Sequence, residues 1–314
     1  MKAVFLDYKS VDPGDLDSQC VSHEVATVFY DHSTGDEIIQ RSQDCEIVIT
    51  NKCVLDRKFF DASDKLKLVC VAATGINNID LDAASANNVI VSNVRDYATS
   101  AVAQHVFAGL LNFMTSQDHY RTAAQDGTWS QSPQFCPLSQ PISELSGKHM
   151  VILGYGVLGQ AVAQLAEAFG MYVTVARRPG SDDRTRSCIL SLLPLADVLS
   201  IHCPLTDKTR NLLGTEELSY LPEEAIVVNT ARGGIINEQA LAQALIERTL
   251  RGAVIDVLDQ EPPPANHPLL NTEIPNLILT PHTAWASREA RQRLLEQVAE
   301  NIIAWNDGSP TRVC

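Results

Sequence analysis

The sequence predicts an α/β protein built from two doubly wound parallel-sheet domains. Three observations carry this expectation. The length, 314 residues, is about twice the ~150 residues that serve as a prior for one domain. Short apolar runs alternate with segments of helical composition. A glycine-rich turn joins one such run to a helix. Hydrophobic residues make up 45% and charged residues 20% of the chain, so full cores can be buried. No apolar stretch reaches the ~18 residues of a membrane span.

In the first third the runs are Ala3 to Leu6, Glu24 to Phe29, Glu46 to Thr50, Leu66 to Ala73 and Val89 to Val91, each expected to be a strand. From Thr99 to about Ser116 the pattern is apolar nearly all round, which suits a helix buried between two domains and places a boundary near residue 98. Residues 117–147 carry Tyr120, Trp129 and Phe135 among several prolines with little periodicity. A surface loop and a subunit-contact arm are the two readings of this segment. Strands resume at His149 to Leu153, Tyr172 to Ala176, Asp197 to His202, Ile226 to Asn229, Ala253 to Val257 and Leu277 to Thr280. A helix from Ser287 to Asn306 closes the chain. The expected domains are 1–98 with 287–314, which is discontinuous, and 99–286.

The charge balance of 24 basic to 38 acidic residues, net -14, repels nucleic acid and anionic membranes. The amino-terminal Met1 to Asp7 enters a strand pattern without an apolar signal core, so a cytoplasmic protein is expected. Eight cysteines and eight histidines are scattered without C-x-x-C or H-E-x-x-H spacing. The cysteines read as reduced core thiols, and no metal site is expected.

Gly154-Tyr155-Gly156-Val157-Leu158-Gly159 ends a strand and opens a helix from Gln160 to Phe169, a placement that marks a dinucleotide-binding turn. Gly154 permits the tight turn, Gly156 lets backbone approach a pyrophosphate, and Gly159 lets helix and strand pack closely. An acidic residue is expected at the end of the next strand to bond a ribose 2′-hydroxyl. Arg177 stands there instead, followed by Arg178. A guanidinium can clamp a 2′-phosphate, which favours NADP over NAD; an arginine pair that only stacks on adenine is the alternative.

Six segments together, Ala73 to Asp80, Gly154 to Gly159, His202 to Thr206, Asn229 to Gly234, Asp256 to Pro262 and Pro281 to Ser287, resemble the D-2-hydroxyacid dehydrogenase family, most closely its glycerate dehydrogenase (hydroxypyruvate reductase) branch. The resemblance implies two Rossmann-like domains, a flavodoxin-like substrate domain and a dinucleotide domain. It also implies NAD(P)-dependent reduction of a small 2-oxo acid, hydroxypyruvate or glyoxylate, to D-glycerate or glycolate.

Such chemistry needs a cation for the carboxylate, a proton donor for the carbonyl oxygen and a hydride. Arg232, His282 and Glu261 lie at strand ends on the crevice side. A guanidinium fork suits a carboxylate, and a carboxylate beside an imidazole favours the protonated ring, so His282 is the expected general acid and base. The resemblance further implies that backbone N–H groups at Thr74 and Gly75 bind the substrate carboxylate, that Val102 packs on the nicotinamide, and that Asp256 bonds its carboxamide. Cys203, Pro204, Thr209 and Thr230 would line the cofactor, with Tyr155, Val157, Leu158, His202, Ala231, His282 and Ala284 completing the contacts. Cys203 has no paired base and reads as packing; His202 and Trp285 fit either site lining or structure.

The sequence departs from the family pattern at Asn77, where aspartate is usual, at Gln104, where glutamate is usual, and at Arg177. Glu261 stands where formate dehydrogenases carry glutamine, which disfavours that branch. The chain continues for 32 residues beyond His282, too few for an added regulatory domain. A homodimer is expected, with 117–147 at the contact. The competing reading is a dinucleotide-sensing binding protein of corepressor type on the same fold; the absence of peptide-docking extensions favours the enzyme.

Overall fold

Runs rich in Val, Ile and Leu become eleven strands, and all pairings between them are parallel. The computed structural model describes residues 1–314. The chain divides into two units, residues 1–98 with 285–314, and residues 99–284. The second crossing falls between Ala284 and Trp285, two residues before the position expected from the sequence.

The first unit holds β1 (Lys2–Phe5), β2 (Ala26–Phe29), β3 (Ile47–Thr50), β4 (Leu68–Val71) and β5 (Ile90–Ser92) in the order β2-β1-β3-β4-β5. This is the flavodoxin-like order. Central β3 and β4 are buried at every position, as strands covered on both faces must be, whereas the edge strand β2 is partly exposed along its length. The closing helix, Arg288–Asn306, begins at Ser287, whose side chain accepts from the Ala290 N–H. It packs on β4 and on the short helix Gln19–Ser22. Its buried Arg291 forms a bidentate pair with Asp15 at 2.7 and 2.8 Å and donates to the carbonyls of Val11 and Ala286. Trp285 lies edge-on to Tyr97 in this unit, ring centres 6.2 Å apart.

The second unit holds β6 (His149–Leu153), β7 (Tyr172–Ala176), β8 (Val198–Ile201), β9 (Ile226–Asn229), β10 (Gly252–Ile255) and β11 (Leu277–Leu279), in the order β11-β10-β9-β8-β6-β7. The chain runs outward from β6 to β7 and then returns to the far side of β6. The carboxyl ends of β6 and β8 therefore form the topological switch point, the usual ligand crevice of such sheets. The helix Thr99–Thr115 packs on the helix Val157–Ala168 and on β10. A Cβ on its Gly109 would meet the Val254 side chain at 2.7 Å, so the absence of a side chain sets how closely this helix lies on the sheet. The expected fold class, two parallel-sheet α/β domains, is the one observed.

Two expectations are corrected. Residues 117–147 are not wholly irregular: Ser116 turns left-handed at φ 49° and a helix runs from Gln117–Gln125, concealed in the sequence because Ala123 is its only buried residue. Core filling accounts for only four cysteines, Cys45, Cys53, Cys70 and Cys203; Cys20 is half-buried and Cys136, Cys188 and Cys314 are exposed. No helix is long and apolar enough to cross a membrane.

Candidate active site

Three adjacent strands, β9, β10 and β11, each release one of the expected catalytic residues at the carboxyl edge of the second sheet. Arg232 follows β9, Glu261 follows β10 and His282 follows β11. The Arg232 turn is folded by Asn229, whose side chain accepts from the Ala231 N–H at 3.0 Å and donates to the Arg232 carbonyl at 2.8 Å. A Cβ on Gly233 would fall 1.9 Å from the Leu258 carbonyl carbon. The Arg232 turn and the Glu261 loop thus meet backbone to backbone, a contact only glycine permits.

His282 Nδ1 lies 2.6 Å from Glu261 Oε2. The other carboxylate oxygen, Oε1, accepts from the Leu258 N–H at 2.8 Å, which fixes the direction of the carboxylate. His282 itself is held at a left-handed φ of 54°, and its N–H donates to the Asp256 carbonyl at 2.8 Å. Asp256 is 1% exposed. Its carboxylate accepts from Thr280 Oγ1, the Thr283 N–H and the Ala284 N–H at 2.5, 2.8 and 2.9 Å. The buried acid therefore wraps the chain around His282, and both its oxygens turn to the segment that carries that histidine. His105, on the helix Thr99–Thr115, reaches Thr280 Oγ1 at 3.1 Å and lies 3.9 Å from Asp256. Neither this support nor Asn229 had been singled out from the sequence, although both Asn229 and Thr280 lie in or beside the recognised motifs.

At the switch point the three glycines occupy distinct surroundings. A Cβ on Gly154, at φ 98°, would strike His202 and Cys203 backbone at 2.5 to 2.6 Å. One on Gly159 would strike the Gly154 carbonyl oxygen at 2.1 Å, whereas one on Gly156 would meet nothing within 4 Å. Space is thus open at the glycine that caps the helix Val157–Ala168, where N–H groups and the positive dipole end suit a phosphate. Thr230 Oγ1 is buried without a hydrogen-bond partner. These features fit a dinucleotide.

Around this crevice Tyr155, Val157 and Pro204 are exposed, Leu158 is half-buried, and Val102, Ala231 and Ala284 are buried. Arg177 is half-buried and Arg178 exposed at the end of β7. Thr209 turns inward, bonding the Pro204 carbonyl at 2.8 Å. Burial pushes the Cys203 thiol up to about 11, so it stays protonated and is no nucleophile. Burial pushes the His202 imidazole down to about 4; Nε2 pairs with Ser200 Oγ at 2.8 Å and Nδ1 has no partner. A ring held neutral in this way is no proton donor near pH 7. Thr74 and Gly75 lie in the first unit after β4, where Thr74 Oγ1 donates to the Val94 carbonyl at 2.9 Å.

A glycine-cradled switch point beside a carboxylate-histidine pair and an arginine defines a dinucleotide-dependent oxidoreductase site. Residues 107–284 match the family described as D-isomer specific 2-hydroxyacid dehydrogenase, NAD binding domain. The chain is 39% identical to the glycerate dehydrogenase of Methylorubrum extorquens, over 99% of this chain and 98% of that one. It is 34% identical to the hydroxypyruvate reductase of Blautia hydrogenotrophica, over 100% and 99%. A solved acyclic imino acid reductase in complex with NADPH and D-Arg superposes with a TM-score of 0.85 at 27% identity, covering all of both chains. The chain belongs to the D-isomer specific 2-hydroxyacid dehydrogenase family.

Proposed function

We propose that this dehydrogenase reversibly reduces a small 2-oxo acid, hydroxypyruvate or glyoxylate, to D-glycerate or glycolate. The observation that carries the reading is the 2.6 Å Glu261–His282 pair in the loops after β10 and β11, at the same sheet edge as the turn after β9 that presents Arg232. When bound, the nicotinamide dinucleotide supplies the hydride for the carbonyl carbon. Arg232 binds the substrate carboxylate through its planar fork, assisted by the N–H groups of Thr74 and Gly75. His282, with Nδ1 directed to Glu261, donates the proton on Nε2 to the carbonyl oxygen. The Glu261 carboxylate, 2.6 Å from Nδ1, orients the ring for the transfer. In oxidation the neutral ring takes that proton back.

Residues 154–159, Thr230 and the helix N-terminus would hold the dinucleotide, with Arg177 and Arg178 toward its ribose. We assign NADPH as a substrate at least as good as NADH, supported by the two arginines and by the NADPH bound to the related imino acid reductase. The names of the glycerate dehydrogenase and hydroxypyruvate reductase relatives support the choice of 2-oxo acid. The test is a rate panel of hydroxypyruvate, glyoxylate, pyruvate, phosphohydroxypyruvate and longer 2-oxo acids with each reduced cofactor. Highest specificity constants for the two small acids are expected; a preference for phosphohydroxypyruvate or for a long-chain acid refutes the assignment.

A further inference from the structure

We propose that Glu238, acting with His267, is a positioning residue: its carboxylate ties the loop carrying Arg232 to the loop carrying Glu261 and thereby sets the Glu261–His282 contact. The inference rests on the proton-donor reading above and adds to it a residue outside the catalytic set.

The segment that leaves β9 carries Arg232, passes through Gly233 and Gly234, and ends at Asn237, whose side chain accepts from the Ala240 N–H at 2.9 Å and caps the helix Glu238–Ile246. Glu238 is the first residue of that helix. Its Oε1 accepts from the Asp259 N–H at 2.7 Å, and its Oε2 lies 2.7 Å from His267 Nε2. His267 Nδ1 accepts from the Leu269 N–H at 3.3 Å, so the ring proton is on Nε2 and is donated to Glu238. The two side chains are 15% and 7% exposed. One nearly dry carboxylate therefore holds both ends of the stretch from Asp259 to His267, and Glu261 lies inside it.

That stretch has little slack. Pro262, Pro263 and Pro264 follow Glu261 directly, and each ring locks its φ, which stiffens the His267 side of the glutamate, while on the other side Gln260 alone separates it from Asp259. The opposite end of the Arg232 segment is already fixed by the Gly233 contact with Leu258. Glu238 closes the frame. The exposed Arg210–Asp259 pair at 3.2 Å, with side chains 51% and 54% exposed, is a weak substitute because surface ion pairs contribute little.

A purely structural clamp and a positioning clamp predict different readouts. Glu238→Ala, Glu238→Gln and His267→Leu would be compared with the native full-length chain in melting temperature and in the kcat and KM of hydroxypyruvate reduction. If Glu238 positions Glu261, Glu238→Ala lowers kcat about 10- to 100-fold, the scale of an ångström-level misplacement, with little change in KM. Glu238→Gln keeps an acceptor for the Asp259 N–H and restores most of the rate. A lowered melting temperature with kcat and KM unchanged overturns the proposal. Should Glu238→Ala not fold, His267→Leu decides by the same readouts. An inactive His282→Ala beside an unaffected Glu238→Ala rejects this inference alone, whereas an active His282→Ala rejects the proton-donor reading beneath it.

Discussion

The proposed preference for NADPH turns on Arg177. Where an acid would bond a ribose hydroxyl and repel a phosphate, a guanidinium offers charge-assisted hydrogen bonds worth roughly 1.5 to 3 kcal/mol each, or about 10- to 150-fold in affinity. Replacing Arg177 by aspartate is expected to shift the ratio of specificity constants from NADPH toward NADH by at least tenfold, about 1.4 kcal/mol. An unchanged ratio means that Arg177 faces away from the ribose. At this scale the candidate site was legible where residue type and strand-end position coincide, as for Arg232, Glu261 and His282. The supports of these residues were not. Glu238 meets His267 across 29 positions and the Asp259 N–H across 21, and Asp256 meets the Ala284 N–H across 28, distances at which no local pattern announces a partner.

Elements are joined here by backbone proximity and by a few buried ions. Gly233→Ala must displace the Leu258–Asp259 backbone. The expected cost is at the upper end of the roughly 1–3 kcal/mol typical of overpacking, together with a loss of turnover, read by denaturant unfolding and steady-state rates. In the first unit the hydrogen bond from Arg291 holds the Asp15 carboxyl below the ordinary carboxylate range. A carboxylate whose folded value is depressed stabilises the fold above its unfolded value and loses that contribution as pH falls through the folded one. Asp15→Asn should therefore lower the melting temperature at pH 7, and the difference from the native chain should shrink as pH falls below the ordinary carboxylate range; a difference that does not shrink in acid contradicts the pairing. Strands were the most legible elements because β-branched runs between helical segments have one parallel solution. Their ends shifted by one or two residues where pairing stops before the apolar run does, as at Ala253 to Val257. The helix Gln117–Gln125 escaped notice because polar residues cover it and one alanine alone is buried.

At the scale of the molecule, residues 117–147 present Phe135 at 94% and Leu138 at 74% exposure, with Trp129 and Ile142 more than half exposed. Large apolar groups gathered on one segment mark an interaction surface, and a second copy of this chain is the occupant we propose. Sedimentation at micromolar concentration should give a dimer, and Phe135→Asp should weaken it by about 1.5–3 kcal/mol, the value of one buried aromatic side chain; a monomeric native chain removes the proposal. The two parallel-sheet domains were legible because the strand pattern is interrupted once, by the long helix from Thr99, and resumes at a glycine turn. What the strand pattern leaves unspecified is which loop touches which, and the proposed catalytic residues come from three loops of one sheet edge. The central claim is that His282, oriented by Glu261, is the proton donor to the 2-oxo acid. It is tested most directly by the turnover of His282→Ala with hydroxypyruvate and NADPH. A loss of about 100-fold or more in a protein with native melting behaviour is predicted, and near-normal turnover contradicts the account.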